Sequence, residues 1–310
     1  MGENRFQIDM ATGRFTLPVV ILICLILWGI TCNDWSDLAS LAAIIACGYL
    51  MIEMNPTFTL IRPRTMFPVC IYWYLTSIFF FLHPFEWSNL TQLAFLLAVF
   101  QLFLSYESNH APTHIFHAFL FIGAGSMAFP QLVYYTPLFA LSTFPFRAMN
   151  AKSFFSALLG LITPYWFLFG YAFFFDKMHL FHAPVKEMLH IYPIEYSTIS
   201  PAAVSAGIFS TLLLAISAVH YFQVAYLDKT RARINLSFMV YSGLWTTLFM
   251  ILQPQHLHEL LPIQLICTSI LAGHLFTLTR NRFSNLLFIV TFAITILLSI
   301  YNLWMQFFSF

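Results

Sequence analysis

Charged residues are scarce in this chain of 310 residues, at 8% of the total. A soluble domain carries about 25%. Hydrophobic residues make up 60%, and the mean hydropathy is +0.80. A surface in water needs more polar groups than these, so the composition excludes a soluble globular domain and makes the lipid bilayer the main partner. The formal net charge of +1 argues against nucleic acid as a partner.

Cysteines are also few, and they form no metal or redox motif. No CxxC pair occurs, and each cysteine lies inside or at the end of an apolar run, where a thiol acts as a small apolar filler. The sequence therefore predicts no metal site and leaves any cofactor unknown. The five cysteines are Cys24, Cys32, Cys47, Cys70 and Cys267.

Long apolar runs are abundant. A helix needs about 20 apolar residues to cross about 30 Å of hydrocarbon. The runs predict an all-α, polytopic transmembrane helical bundle of about eleven segments, with shorter helices in the first half, in a single integral membrane domain over residues 1–310. They are Leu17–Cys32, Leu38–Ile52, Met66–Leu82, Leu90–Tyr106, Ile115–Phe146 as two segments, Phe154–Phe175, Pro201–Tyr226, Ile234–Leu252, Leu260–Leu278 and Phe283–Phe308.

The run Ile115–Phe146 is too long for one ordinary span, and Pro130 interrupts it. Because proline breaks or kinks a helix, two short pieces are expected, at about 115–128 and 131–146. Cations follow the run at Arg147 and Lys152. They join the other cations only if the run crosses the membrane an even number of times, which two short spans or one re-entrant loop both satisfy.

Lys and Arg segregate to one side of this alternating topology. Eleven of the thirteen fall on the side of the N-terminus, and only Lys177 and Lys186 fall opposite. The positive-inside rule then places the N-terminus in the cytoplasm and the C-terminus outside, in a bacterial inner membrane. The eleven are Arg5, Arg14, Arg62, Arg64, Arg147, Lys152, Lys229, Arg231, Arg233, Arg280 and Arg282.

The predicted outer face is rich in acids and histidines and contains no arginine. Its largest piece is the periplasmic loop at residues 176–200. A helix there would lie in the membrane interface, either capping the bundle or covering an outward-facing cavity, and Pro184 would break it or start its second half. One face would carry four candidate binding residues: His179, His182, Lys186 and His190.

Other histidines suggest further binding positions. His256, His258 and Glu259 form a second outer donor set, and two histidine pairs without a diagnostic spacing are weak evidence for a metal. His274 lies within a predicted span beside Gly273, where a neighbouring helix can approach. An ionisable group inside a membrane often lines a pathway, and a hydrogen bond between helices is the simpler interpretation.

Asp34 and Asp37 are the candidate catalytic residues. They follow the first span, where transferases acting on polyprenyl-linked sugars place an acidic base. The alternative is a helix N-cap, since Asp favours a helix start. A diphosphate substrate also needs cations, for which Arg is best suited, and the predicted outer face has no arginine, only Lys177 and Lys186.

A local pattern follows the long run: Phe116-His117-Ala118-Phe119 to Tyr135, then Arg147, then Gly160-x-x-x-Pro164. Gly160 permits close packing, Pro164 kinks its span, and Thr163 can bond a freed carbonyl. Over roughly residues 100–175 the chain resembles an uncharacterised family of multi-span inner-membrane proteins of Bacteroidetes-type bacteria. The resemblance implies a polytopic bacterial inner-membrane protein and carries over no catalytic residue.

Three functions are compatible with the sequence. The sparse polar interior favours a non-catalytic subunit or scaffold in cell-envelope assembly, with protein partners. A carrier or flippase for a lipid-linked substrate would need an apolar-walled cavity that reaches the membrane midplane near His220 or His274. An outward-facing transferase on a polyprenyl-linked substrate would need Asp34 or Asp37 near the 176–200 loop.

Overall fold

A computed structural model describes residues 6–32, 34–63, 65–190, 192–196 and 199–308, with side chains as far as Met305. Within these ranges the chain is helical and has no strand, and 82% is helix. Thirteen α-helices are present in the described residues, joined by short 3₁₀ turns. In chain order they are α1 (Phe6–Thr12), α2 (Thr16–Thr31), α3 (Asp37–Phe58), α4 (Phe67–Ile78), α5 (Leu90–Leu104), α6 (Ala111–Ala128), α7 (Thr136–Ser142), α8 (Ala151–Phe174), α9 (His179–Met188), α10 (Pro201–Val224), α11 (Thr230–Leu252), α12 (Leu257–Leu278) and α13 (Arg282–Phe308).

The all-α prediction is confirmed, and each of the eleven predicted segments overlaps a helix. Seven of the described helices are long and apolar enough to cross a membrane, and α1 with α2, bent by 84°, makes an eighth candidate. This is the architecture of a multi-pass membrane protein. The α4 helix has only 12 residues and α7 only 7, so short helices do occur in the first half.

The α3 helix differs from its predicted segment, which ended at Ile52. It continues to Phe58 and includes Pro56. Two features explain where it ends. Thr59 adopts a left-handed conformation with φ of 51°, which terminates a helix. Asn55 accepts a hydrogen bond from the Ile61 amide at 2.9 Å, and this bond holds the departing chain.

The chain divides into two compact units, residues 1–85 with 194–310, and residues 86–193. In the first unit α12 is central and packs against α1, α4, α10 and α11. Its whole hydrophobic window is buried. Gly273 permits the approach of α4, because a Cβ there would lie 2.5 Å from Cγ of Pro68. The expected close approach of a helix at Gly273 is confirmed.

In the second unit α6 packs between α5 and α8. The run Ile115–Phe146 breaks at Phe129, where α6 ends and a 3₁₀ turn at Pro130–Tyr135 leads to α7. The chain then returns to its starting point, because the Arg147 guanidinium lies 2.6 Å from the Glu107 carboxylate and the Glu107 amide donates to the Phe146 carbonyl. The residues that flank the run, Glu107 and Arg147, therefore lie together.

The Gly160–Pro164 pattern acts in helix packing. The α8 helix continues through Pro164, and Thr163 donates to the Leu159 carbonyl at 2.6 Å. A Cβ on Gly160 would lie 2.3 Å from the Phe116 carbonyl oxygen, and one on Gly123 would lie 2.7 Å from the Leu161 carbonyl oxygen. The two glycines thus let α6 and α8 come into backbone contact, as GxxxG-type packing does in membranes.

We expect Gly160→Ala to lower the free energy of unfolding by about 1–3 kcal/mol, because the methyl group would push backbone against backbone. Gly170→Ala in the same helix is the matched control, since nothing lies within 4 Å of a Cβ there. That control should gain up to about 1 kcal/mol from helix propensity. Chemical unfolding in mixed micelles measures both, and equal effects would contradict the backbone contact.

Candidate functional site

The first unit contains an apolar cavity of about 410 Å³. Its walls are α2, α4 and α13, with single residues from α1, α10 and α12. It opens towards the outside of the unit, since lining residues such as Val19, Ile296 and Ile300 are about half exposed. Besides these it is lined mainly by Ile23, Leu27, Ile71, Leu75, Phe288 and Phe292.

The cavity is elongated along the helices. On α2 it runs from Thr16 to Leu27, and on α13 from Phe288 to Ile300. At 1.5 Å per residue these stretches are about 16–18 Å long. Polar atoms contribute little: Thr16 donates to the Met10 carbonyl at 2.7 Å and Thr295 to the Phe292 carbonyl at 2.7 Å. An occupant would thus meet mainly hydrocarbon.

The first unit also contains a buried ion-pair cluster. Asp228, in the link between α10 and α11, accepts a hydrogen bond from Arg62 Nε at 3.0 Å and one from His274 Nε2 at 3.0 Å. The Asp228 side chain is 2% exposed, His274 is fully buried, and Arg62 is 48% exposed. The His274 Nδ1 and His220 Nδ1 atoms are buried without a hydrogen-bond partner, and the two ring centroids are 6.1 Å apart.

The electrostatics of this cluster favour a charged carboxylate. Burial alone would raise the pKa of Asp228, but the hydrogen bond and charge of His274, followed by those of Arg62, leave it below its usual value near 3.8. Asp228 therefore fastens three segments: the α3–α4 link, the α10–α11 link and α12. The sequence interpretation missed it. The signal available was one acid standing directly before the basic run Lys229 to Arg233.

His274 lies four residues before the end of α12, so it sits near a helix end rather than mid-span. Its bond goes to a loop carboxylate, not to a neighbouring helix. Neither His274 nor His220 lines the apolar cavity, and the α12 residue that does is Phe276.

The candidate catalytic acids have different environments. Asp37 is the first residue of α3 and is 7% exposed. Its carboxylate accepts from the Asp34 amide at 3.2 Å, which orders the turn before the helix. Asp34 itself is exposed. Asp37 is thus the first helical residue and not the N-cap, which is Ser36, and no side-chain capping bond is made there.

Near the same helix start, His83 is packed in an aromatic pocket. It is 1% exposed and stacks on Trp28 with ring centroids 3.8 Å apart. Its Nδ1 lies 2.5 Å from Thr31 Oγ1. Desolvation by burial lowers the pKa of His83 to about 4, although the nearby Asp37 charge acts in the opposite direction.

The 176–200 loop contains a ten-residue helix, α9, with no buried residue. It includes His179, His182 and Lys186, continues through Pro184 and ends before His190. The expected break at Pro184 is therefore absent. Glu187 on this helix accepts from Tyr192 at 2.6 Å and from Gln131 at 3.4 Å, and Tyr134 donates to the Met188 carbonyl. These bonds fix α9 on the second unit.

His256, His258 and Glu259 lie in the first unit, where α12 begins. His258 packs edge-on against Phe81 at 5.1 Å between ring centroids. Among the residues that the structure describes, no three His, Cys, Asp or Glu side chains are grouped as a metal site requires.

No protein-family model, curated protein or solved structure matches the chain.

Proposed function

We propose that this chain is a multi-pass inner-membrane protein that holds the hydrocarbon chain of a lipid in its apolar cavity, and acts as a carrier for a lipid-linked or amphipathic substrate. The observation that carries the proposal is the cavity itself. It is walled by hydrocarbon, open on one side and about 16–18 Å long. Half of a bilayer's hydrocarbon core is about 15 Å thick, so one lipid chain matches its length.

The positive-inside rule supports the orientation in this proposal. If α2–α8 and α10–α13 each cross the membrane, with α6 and α7 forming a returning pair, the N-terminus is cytoplasmic and the C-terminus is outside. The end of the cavity at Thr16 then lies in the cytoplasmic leaflet, and a lipid could enter sideways from that leaflet.

The test is a cavity-filling variant, Thr291→Phe, on the wall of α13. The matched control is Ala293→Phe, two residues away on the same helix, at an exposed position that does not line the cavity. Purified protein is titrated with a lipid that carries a photoreactive group on its chain. We expect Thr291→Phe to weaken labelling of α2 and α13 peptides tenfold or more, and Ala293→Phe to leave it unchanged.

The scaffold hypothesis makes a different prediction for the same protein. Reconstituted into vesicles, a carrier accelerates movement of a fluorescent lipid between leaflets, and Thr291→Phe abolishes that acceleration. A scaffold with a structural lipid binds the lipid without accelerating its movement. Absence of labelling in the unmodified protein would contradict lipid-chain binding altogether.

A further inference from the structure

One end of the apolar cavity is formed by a basic turn. Arg14 lies between α1 and α2 and is exposed. The turn is closed by the hydrogen bond from Thr16 to the Met10 carbonyl at 2.7 Å, and Met10 and Thr16 both line the cavity. Arg14 therefore stands on the loop that forms the rim.

A second basic turn, between α12 and α13, lies at the same end. It carries Arg280 and Arg282, both exposed. The flanking residues Phe276 and Phe288 line the cavity. The turn therefore joins two walls of the cavity just as the first turn does.

Gln7 on α1 connects the two turns. It is 1% exposed, and its Nε2 donates to the Phe276 carbonyl at 2.6 Å and to the Thr279 carbonyl at 3.0 Å. The Gln7 Oε1 atom accepts a hydrogen bond from the Ser284 hydroxyl at 2.9 Å, and the backbone N–H of Gln7 donates to Asn285 Oδ1 at 3.1 Å. The position of α1 is thus fixed against the α12–α13 turn, and residues flanking both basic turns line the same cavity.

The charge of this rim is positive. Residues 6–16 and 276–288 contain Arg14, Arg280 and Arg282 with one acid, Asp9, which is exposed on α1. A hydrocarbon-lined cavity that ends at such a rim has the two parts that a phospholipid needs. Its chain requires apolar contact, and its phosphate requires cationic donors.

We infer that this rim, defined by the Met10–Thr16 turn and the Thr279–Arg282 turn, binds the headgroup phosphate of an anionic glycerophospholipid whose acyl chain occupies the cavity. The inference rests on the proposed function and names its substrate class. Each Arg near an anionic headgroup contributes about 1 kcal/mol, which corresponds to about fivefold in affinity. Two arginines then give a preference of about tenfold or more over a zwitterionic lipid.

The experiment compares phosphatidylglycerol and phosphatidylcholine with identical spin-labelled chains, titrated into the full-length protein in detergent. We expect phosphatidylglycerol to bind about tenfold or more tightly. The double variant Arg14→Gln/Arg280→Gln should lose most of this preference. Phosphatidylcholine binding should weaken less than phosphatidylglycerol binding, because its phosphate also contacts the rim but its choline cation offsets the charge. Lys229→Gln is the control, because Lys229 is an exposed cation on the α10–α11 link, and it should keep the full preference.

Each outcome separates the two proposals. Equal binding of both lipids by the unmodified protein, or a preference that survives in the double variant, would overturn the headgroup site while leaving lipid-chain binding intact. A loss of preference in Lys229→Gln equal to that in the double variant would show only a diffuse attraction to the basic face. If neither lipid binds, the proposed function fails. Inorganic phosphate at the same concentration should not displace phosphatidylglycerol, because it lacks the chain.

Discussion

Replacing Asp228 by alanine is expected to lower the free energy of unfolding by about 3–5 kcal/mol, as loss of one partner from a buried ion pair does. The variant would leave His274 fully buried with neither ring nitrogen bonded, because its Nδ1 has no partner and its Nε2 bonds Asp228. It would also release the α3–α4 link from the α10–α11 link. Chemical unfolding in mixed micelles at neutral pH measures the change.

Two companion variants make this expectation specific. Arg62→Gln should cost only about 1 kcal/mol, because the Arg62 side chain is 48% exposed and exposed ion pairs contribute little. Adding His274→Leu to Asp228→Ala should recover part of the loss, since an apolar side chain needs no partner. Equal losses in Arg62→Gln and Asp228→Ala would contradict the assignment of the energy to the buried His274 side of the cluster.

Acidification should destabilise the protein through His83. With a folded pKa of about 4 and an unfolded value near 6.5, the unfolded state binds one more proton between these limits. Stability is therefore fully present above about pH 6.5 and falls by about 3 kcal/mol as the pH decreases to about 4. The Asp228 contribution has the same sign, but its pKa is lowered from 3.8, so its loss belongs to a more acidic range.

The variant His83→Gln tests this directly. It should flatten the dependence of the unfolding free energy on pH between about 6.5 and 4, whatever its effect at neutral pH. His179→Gln is the control, because His179 is exposed on α9, and it should leave the slope as it is. A slope that persists in His83→Gln would assign the acid sensitivity to other groups.

Local signals in the sequence predicted much of the fold. Apolar runs located the helices, because length and hydropathy are properties of single segments. Pro130 marked the break after α6 for the same reason, and Gly160 marked close packing, because only glycine allows backbone contact. The end of α3 was not predicted, because it depends on the hydrogen bond from the Ile61 amide to the Asn55 side chain.

The candidate site was predicted less well, because its residues are distant in sequence. Asp228 and His274 are 46 positions apart, and no local pattern shows that the end of α12 reaches the α10–α11 link. Assigning charged residues to one side of the membrane or the other does not distinguish Asp228 from the other acidic residues in loops. The cavity likewise depends on which faces of α2, α4 and α13 are turned towards each other, which apolar runs of uniform character do not reveal.

The continuous burial of α12 from Leu260 to Thr277 has a consequence for how the protein is made. A helix enclosed by α1, α4, α10 and α11 emerges from the ribosome after all four of its neighbours. Until α12 is synthesised, the faces of these four helices that contact α12 lack their packing partner. A nascent chain halted before Pro254 would contain the same four helices without the helix that packs against all of them.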